Sequence, residues 1–207
     1  MTQSPTCRVH AILPALLAIA CTFSVRPAHA QQLLSEAAQV ASAVAPLPAE
    51  FRENATVLGY RSATGRLVPL RNAAGPYLCL ATNPAEEQRF HVACYHRSME
   101  PFMARGRELR AQQALTPAQR DSIRNAESVS GRIKLPTVPA ALYSLTGTWA
   151  NVDRQTGAVQ GASPLYVVYI PFATAESTGL PTTPMPNAPW LMFPGTPRAH
   201  IMFVPEM

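Results

Sequence analysis

Hydrophobic and polar residues follow two different periods along the chain. Near the N-terminus, an alanine-rich segment repeats apolar residues at the spacing of one helix face, at Leu33, Ala37, Val40 and Val44. Two prolines shortly after this segment end the pattern, because proline cannot continue a helix. The sequence therefore predicts an N-terminal helical segment within residues 31–54.

The remaining apolar segments are short, and several of them alternate with polar residues as strands do. They cover residues 56–60, 67–70, 77–81, 90–95, 141–145, 165–170, 190–193 and 200–204. Turn-prone residues separate the first two segments, which predicts a hairpin. Pro69 lies in the second segment and cannot donate a backbone hydrogen bond, so we expect this strand at an edge or a bulge of the sheet.

Two helix-start signals lie between the early and the late strands. Ser98 followed by Pro101 predicts the start of the first helix, with Ser98 as its N-cap. Thr116 and Gln119 form the pattern of a capping box, and Gly131 is expected to end the second helix. Strands on both sides of two central helices predict an α+β fold with a small mixed or mostly antiparallel sheet, as one domain over residues 55–207.

The first 30 residues have the composition of a secretory signal. Arg8 precedes an uncharged, mostly apolar segment at residues 11–25, which is too short to cross a membrane. An Ala-His-Ala sequence then predicts cleavage between Ala30 and Gln31. The alternative is a lipoprotein signal in which Cys21 receives the lipid, because small residues precede it. Both interpretations predict an exported protein, periplasmic or extracellular, with no transmembrane segment in the mature chain.

The chain is long enough for one well-buried domain, with 207 residues of which 47% are hydrophobic and 14% charged. It contains 17 basic and 12 acidic residues, which gives a net charge of +5 at pH 7. Cleavage after Ala30 removes Arg8 and Arg26 and leaves 15 basic residues against 12 acidic ones, a net charge of +3. Because so small a charge does not make a phosphate-binding surface, nucleic acid is not expected as a partner.

Two of the 4 cysteines fall within the predicted signal, so the mature chain keeps Cys79 and Cys94. They lie in neighbouring strand segments that are joined by a polar, turn-prone loop. Antiparallel pairing of these segments would bring the two Cα atoms to bonding distance, and an exported protein folds in an oxidising compartment. The sequence predicts a structural Cys79–Cys94 disulfide. A catalytic or metal-bound thiolate pair is the alternative.

His91, His96 and Glu100 lie close together in the sequence, and His200 is the third histidine of the mature chain. Imidazole and carboxylate groups bind zinc or copper, so these four residues form a candidate metal site. On a strand, however, His91 and His96 would face opposite sides, because they are an odd number of residues apart. The site would require the strand to end near His96 and a helix to bring Glu100 back. Histidines without a metal are the other hypothesis, which predicts no cofactor.

Local motifs of several enzyme families are absent from the sequence. It has no Gly-Lys dipeptide for a Walker-type phosphate loop, no Gly-x-Ser-x-Gly nucleophile elbow and no His-Glu-x-x-His zinc motif. The polar loop 174–179 follows a strong strand segment, and a loop in that position commonly lines a pocket. Helix capping by Thr174 or Ser177 explains the same residues.

Two segments resemble parts of secreted bacterial proteins that have no assigned activity. They are TVLGYRSATGRLVPLRNAAGPYLCLA at residues 56–81 and WLMFPGTPRAHIMFVP at residues 190–205. In those proteins a hairpin leads to a cysteine strand, and a Pro-Gly-Thr-Pro turn precedes an Ala-His strand. The resemblance implies export and a shared fold, and it assigns no catalytic residue.

The export signal, the cysteine pair and the missing motifs predict a non-catalytic binding or envelope-associated domain. Its expected partner is a small molecule or an envelope protein. A metal-binding protein or a metal-dependent enzyme that uses the four candidate ligands is the alternative.

Overall fold

The computed structural model describes Met1, residues 32–185 and residues 187–205. The apolar part of the predicted signal, its cleavage point between Ala30 and Gln31 and the alternative lipid site Cys21 lie outside these residues. Within the described ranges, no helix combines the length and the apolar composition needed to cross a membrane.

The described residues form an eight-stranded mixed sheet in the order β2-β1-β3-β4-β5-β6-β8-β7. In chain order the strands are β1 Thr56–Gly59, β2 Val68–Arg71, β3 Tyr77–Leu80, β4 Phe90–His96, β5 Ala140–Gly147, β6 Ser163–Tyr169, β7 Trp190–Met192 and β8 His200–Phe203. Each overlaps a segment whose apolar pattern predicted a strand, and β2, β4, β5 and β6 extend one or two residues beyond it. Only β1 and β3 pair in parallel among these strands, so the sheet is mostly antiparallel, as expected.

The two edges of the sheet are β2 and β7. The predicted hairpin joins β1 to β2, and Pro69 pairs with Leu58 in this edge strand, which confirms the expectation for the proline. At the other edge, the Leu191 N–H donates to the carbonyl of Pro181 at 2.8 Å. Both edges therefore carry a device that limits further strand pairing.

Five α-helices accompany the sheet in the described ranges. They are α1 Glu36–Val44, α2 Ala49–Arg52, α3 Glu100–Ala111, α4 Pro117–Val129 and α5 Ala175–Thr178. The helices α3 and α4 are the two predicted central helices, and α1 and α2 form the predicted helical segment before the sheet. The α+β fold predicted from the sequence is confirmed.

Helices cover the two faces of the sheet. On one face, which we call the α1 face, Ala43 of α1 packs against Val57 and Cys94. On the opposite face, the α3 face, Phe102 of α3 packs with Leu78. Alternate residues of each strand point to these two faces, because successive side chains of a strand point in opposite directions.

Local sequence signals predicted one of the two central helix starts correctly and the other incorrectly. Thr116 accepts a hydrogen bond from the Gln119 backbone while the Gln119 side chain accepts one from the Thr116 backbone, so the predicted capping box is present. The predicted N-cap role of Ser98 is wrong. A short 3₁₀ turn at Arg97–Met99 comes first, and the ring of His96 caps it by accepting from the Ser98 N–H.

Cys79 and Cys94 form the predicted disulfide, with an S–S distance of 2.01 Å. They are direct partners in the antiparallel pairing of β3 with β4, and both side chains are fully buried. The Cys94 sulfur lies 3.0 Å from the carbonyl oxygen of Ala43. Helix α1 thus packs directly against the bridge.

Candidate functional site

The four predicted metal ligands are distributed over both faces of the sheet. His91 and His96 occupy the two ends of β4 and, as their spacing requires, point to opposite faces. The strand does end at His96, but its ring caps the following turn and contacts Tyr77 edge-on, with 6.0 Å between ring centroids. His91 is exposed to solvent near the opposite end of the strand, and desolvation by the surrounding protein still lowers its pKa.

Glu100 takes part in a network that anchors helix α3 to the sheet. Its carboxylate accepts a hydrogen bond from the Tyr95 hydroxyl at 2.5 Å and another from Arg107 at 2.7 Å. Arg107 also donates to the Tyr95 oxygen at 2.7 Å, which closes a ring of three groups. Burial is the main reason why the pKa of Tyr95 is raised far above its usual value. Glu100 is therefore committed to structural contacts.

His200 lies on β8, and two strands separate β8 from β4. At about 4.8 Å per strand, this places β8 about 14 Å across the sheet from β4, the strand that carries His91 and His96. In the part of the chain that the structure describes, no group of three or more His, Cys, Asp or Glu side chains is placed to hold a metal ion. The fold does not bring the candidate ligands together.

The most unusual backbone lies in two loops beside His200. Phe172, after β6, has φ of 65°, and Phe193, after β7, has φ of 52°. Bulky side chains rarely adopt this left-handed region, and a residue held there costs about 1–3 kcal/mol. Both rings also remain in solvent, with 49% of Phe172 and 41% of Phe193 exposed. Strain and exposure of large apolar rings coincide here.

Backbone hydrogen bonds hold the two loops, residues 170–174 and 193–199, against each other; we call them the loop pair. Phe172 N–H donates to the Thr196 carbonyl at 2.8 Å, and Gly195 N–H donates to the Ala173 carbonyl at 2.8 Å. The predicted Pro-Gly-Thr-Pro turn lies within the second loop. In the first loop, Thr174 caps α5 through a capping box with Ser177, which confirms the capping interpretation of the polar loop. The strained conformation is thus fixed from several sides.

An arginine supports the ring of Phe193. The Arg198 guanidinium lies over that ring at 3.9 Å from its centroid, a cation–π contact. The same guanidinium pairs with the Asp121 carboxylate of α4 at 2.5 Å, and only 15% of the Arg198 side chain is exposed. The ion pair with Asp121 therefore holds the Arg198 guanidinium in place, and the guanidinium covers one face of the Phe193 ring.

The ring of His200 completes this surface. It lies 5.7 Å from the Phe193 ring and 4.9 Å from the Tyr169 ring, measured between centroids. Its Nδ1 lies 2.6 Å from the Arg198 carbonyl, and because a carbonyl only accepts, Nδ1 carries the hydrogen. The neutral ring then presents Nε2 as an acceptor. Burial lowers the pKa of His200, which favours this neutral form.

A second arginine lies behind the first. Arg124 of α4 stacks over Phe102 at 4.2 Å and lies 3.7 Å from the other oxygen of Asp121. Burial lowers its pKa, and the nearby positive charge of Arg198 lowers it further. Burial also raises the pKa of Tyr169, against the effect of both arginines. Asp121 is thus shared by two guanidinium groups on the α3 face.

The indole N–H of Trp190 in β7 is a further donor without a described partner, on the α3 face. Its side chain is 6% exposed, and its Nε1 has no hydrogen-bond partner among the described residues. It pairs with Met202, two residues beyond His200 on β8, so alternation places the indole on the face that carries His200.

A separate cleft of about 650 Å³ lies beside the start of α1. Its buried amide, that of Gln39, is already satisfied, because it donates to the Leu34 and Tyr60 carbonyls and accepts from the Tyr60 N–H. An Arg61–Glu36 ion pair at 3.2 Å crosses its mouth. The cleft offers no unused polar group comparable with those at the loop pair.

The sequence singled out His200 only as a candidate metal ligand and gave no indication of the residues around it. Nothing in the sequence marks Phe172 and Phe193 as left-handed, and the partner of Arg198 lies on a helix far away in the chain. The Pro-Gly-Thr-Pro turn next to a large aromatic residue was the one local signal of this surface. No protein-family model, curated protein or solved structure matches the chain.

Proposed function

We propose that this chain is an exported protein that acts by binding, and that its binding surface is formed by Phe172, Phe193, Arg198 and His200. We call this set the loop-pair surface. The proposal rests on one observation, the two aromatic residues that are exposed to solvent on strained backbone. Strain of this kind persists where the surrounding structure fixes it, and it clusters at functional sites.

The composition of the loop-pair surface supports recognition. Aromatic residues and arginine are enriched where proteins bind partners, and they contribute most of the binding free energy. A ring whose backbone and neighbours are already fixed loses little conformational entropy on binding. Phe193, with Arg198 on one side and His200 beside it, is such a ring.

The disulfide supports the exported location, since such bridges persist in oxidising compartments. Intact-mass measurement of the protein purified from its native host tests this part. Export with the predicted cleavage gives a chain that starts at Gln31 and lacks two hydrogens relative to the free thiols. A larger mass that includes a lipid on Cys21 supports the lipoprotein alternative, and an uncleaved, reduced chain contradicts export.

Binding itself is tested with a small aromatic fragment, benzyl alcohol, followed by backbone amide shifts in ¹H–¹⁵N spectra. We expect shifts concentrated on residues 170–174 and 193–200, which weaken in Phe172→Ala and vanish in Phe193→Ala. Val138→Ala is the matched control, because Val138 is 63% exposed but lies outside the loop pair. Shifts spread evenly over exposed apolar residues, or equal effects of all three variants, would contradict the proposal.

A further inference from the structure

We infer that the ligand of the loop-pair surface joins a flat apolar ring to an anionic group. The inference rests on the proposed function and adds a charge requirement to it. Its basis is the arrangement of Asp121, Arg124 and Arg198 beside the exposed rings.

The side chains around Asp121 carry more positive than negative charge. Its two oxygens face two different guanidinium groups, Arg198 at 2.5 Å and Arg124 at 3.7 Å. One carboxylate neutralises one of these charges, so the cluster keeps one positive charge. His200 contributes none in its neutral form, which burial favours by lowering the pKa of the ring.

Both guanidinium groups beside Asp121 are largely buried. The side chains of Arg124 and Arg198 are 17% and 15% exposed, so water solvates both guanidinium groups poorly. A charge with few water contacts is costly unless an opposite charge or hydrogen-bond acceptor reaches it. An anion that approaches the outer edge of Arg198 would satisfy the remaining donors with charge-assisted hydrogen bonds.

The exposed rings define the other part of the ligand. Arg198 occupies one side of the Phe193 ring, and the ring still keeps 41% of its surface exposed. Phe172 adds a second exposed ring on the partner loop, within the same hydrogen-bonded pair. A flat ligand that packs against these rings would place a substituent beside the guanidinium that supports Phe193.

Benzoate, benzamide and acetate separate the two requirements in amide-shift titrations at constant ionic strength. Benzamide keeps the ring without the charge, and acetate keeps the charge without the ring. We expect benzoate to bind about fivefold more tightly than benzamide, since hydrogen bonds to charged groups exceed neutral ones by about 1 kcal/mol. Acetate alone should not shift residues 170–174. Phenyl phosphate in the same titration distinguishes a phosphate from a carboxylate ligand.

Variants of the cluster give changes of opposite sign. Arg124→Gln lowers the positive charge and should weaken benzoate binding severalfold, whereas Asp121→Asn removes the competing carboxylate and should strengthen it. Arg132→Gln is the control for net charge, because its side chain is 77% exposed and pairs with Glu127. Benzamide and benzyl alcohol should not respond to Arg124→Gln or Arg132→Gln. In Asp121→Asn the ratio of benzoate to benzamide affinity reports the effect of charge, because loss of the ion pair to Arg198 affects the binding of both ligands.

The outcomes separate this inference from the proposed function. If benzamide and benzoate bind the loop pair equally, or if Asp121→Asn leaves the ratio of benzoate to benzamide affinity unchanged, the charge requirement is wrong and the binding surface stands. If no ring compound shifts the loop pair, both are wrong. If acetate binds as tightly as benzoate, the rings have no part in recognition.

Discussion

The strain at Phe172 can be measured directly by comparing two substitutions at that position. Phe172→Ala removes the ring and keeps a Cβ atom on left-handed backbone, whereas Phe172→Gly removes both. The lost contacts of the ring are the same in the two variants. Their difference in free energy of unfolding therefore reports the conformational cost at a φ of 65°.

Two opposing contributions set the size of this difference. An L-residue in the left-handed region costs about 1–2 kcal/mol, a cost that glycine avoids. Glycine in turn gains freedom in the unfolded chain, which lowers stability by about 0.4–1 kcal/mol. We expect Phe172→Gly to be the more stable variant by about 0.5–1 kcal/mol, which corresponds to a rise in Tm of about 1–4 °C.

Equilibrium unfolding in urea measures the difference, and Ala126→Gly supplies a control of opposite sign. Ala126 is an exposed residue inside helix α4, where glycine destabilises by about 1 kcal/mol. If glycine at position 172 destabilises relative to alanine by a similar amount, the backbone there is not strained. The loop-pair surface would then have no backbone strain to mark it as a binding site.

Three further predictions concern the rest of the fold. Replacing both Cys79 and Cys94 by alanine should lower the free energy of unfolding by at least about 3 kcal/mol, the chain-entropy value for a loop of this length, and urea titration checks it. In thermal unfolding, Gly157→Ala should destabilise the protein far more than Gly161→Ala. Both glycines have positive φ, but a Cβ at position 157 would lie 2.2 Å from the Ala38 carbonyl oxygen. A Cβ at position 161 would meet nothing within 4 Å. The hydrogen bonds from Arg105 lower the pKa of Glu127, so its contribution to stability is present above about pH 4.3 and is lost as pH falls through the folded pKa. The difference in free energy of unfolding between the wild type and Glu127→Gln should therefore shrink as the pH is lowered. A difference that does not change with pH would contradict this.

Much of the fold follows from local patterns in the sequence. Alternation of apolar residues located the strands, and the position of Cys79 and Cys94 in two adjacent strands was enough to predict their bridge. The Thr116–Gln119 capping box depends only on residues three apart. At Ser98 the local pattern failed, because a 3₁₀ turn capped by His96 precedes the helix and contains Ser98.

The candidate site depends on contacts that no local pattern contains. The ion pair between Asp121 and Arg198 joins a helix to a loop that is distant in sequence. The hydrogen bonds that join the loop of Phe193 to the loop of Phe172 likewise connect residues more than 20 positions apart. By contrast, the separation of His91 from His96 was predictable, because strand alternation alone places them on opposite faces.

The edges of the sheet bear on whether this protein pairs with other chains. A sheet with two open ends invites other chains to add to it. Pro69 in β2 has no hydrogen to offer an incoming strand, and Leu191 in β7 has already given its own to Pro181. The molecule therefore ends its sheet on both sides by its own chemistry, which should keep it from assembling into fibrils at high concentration.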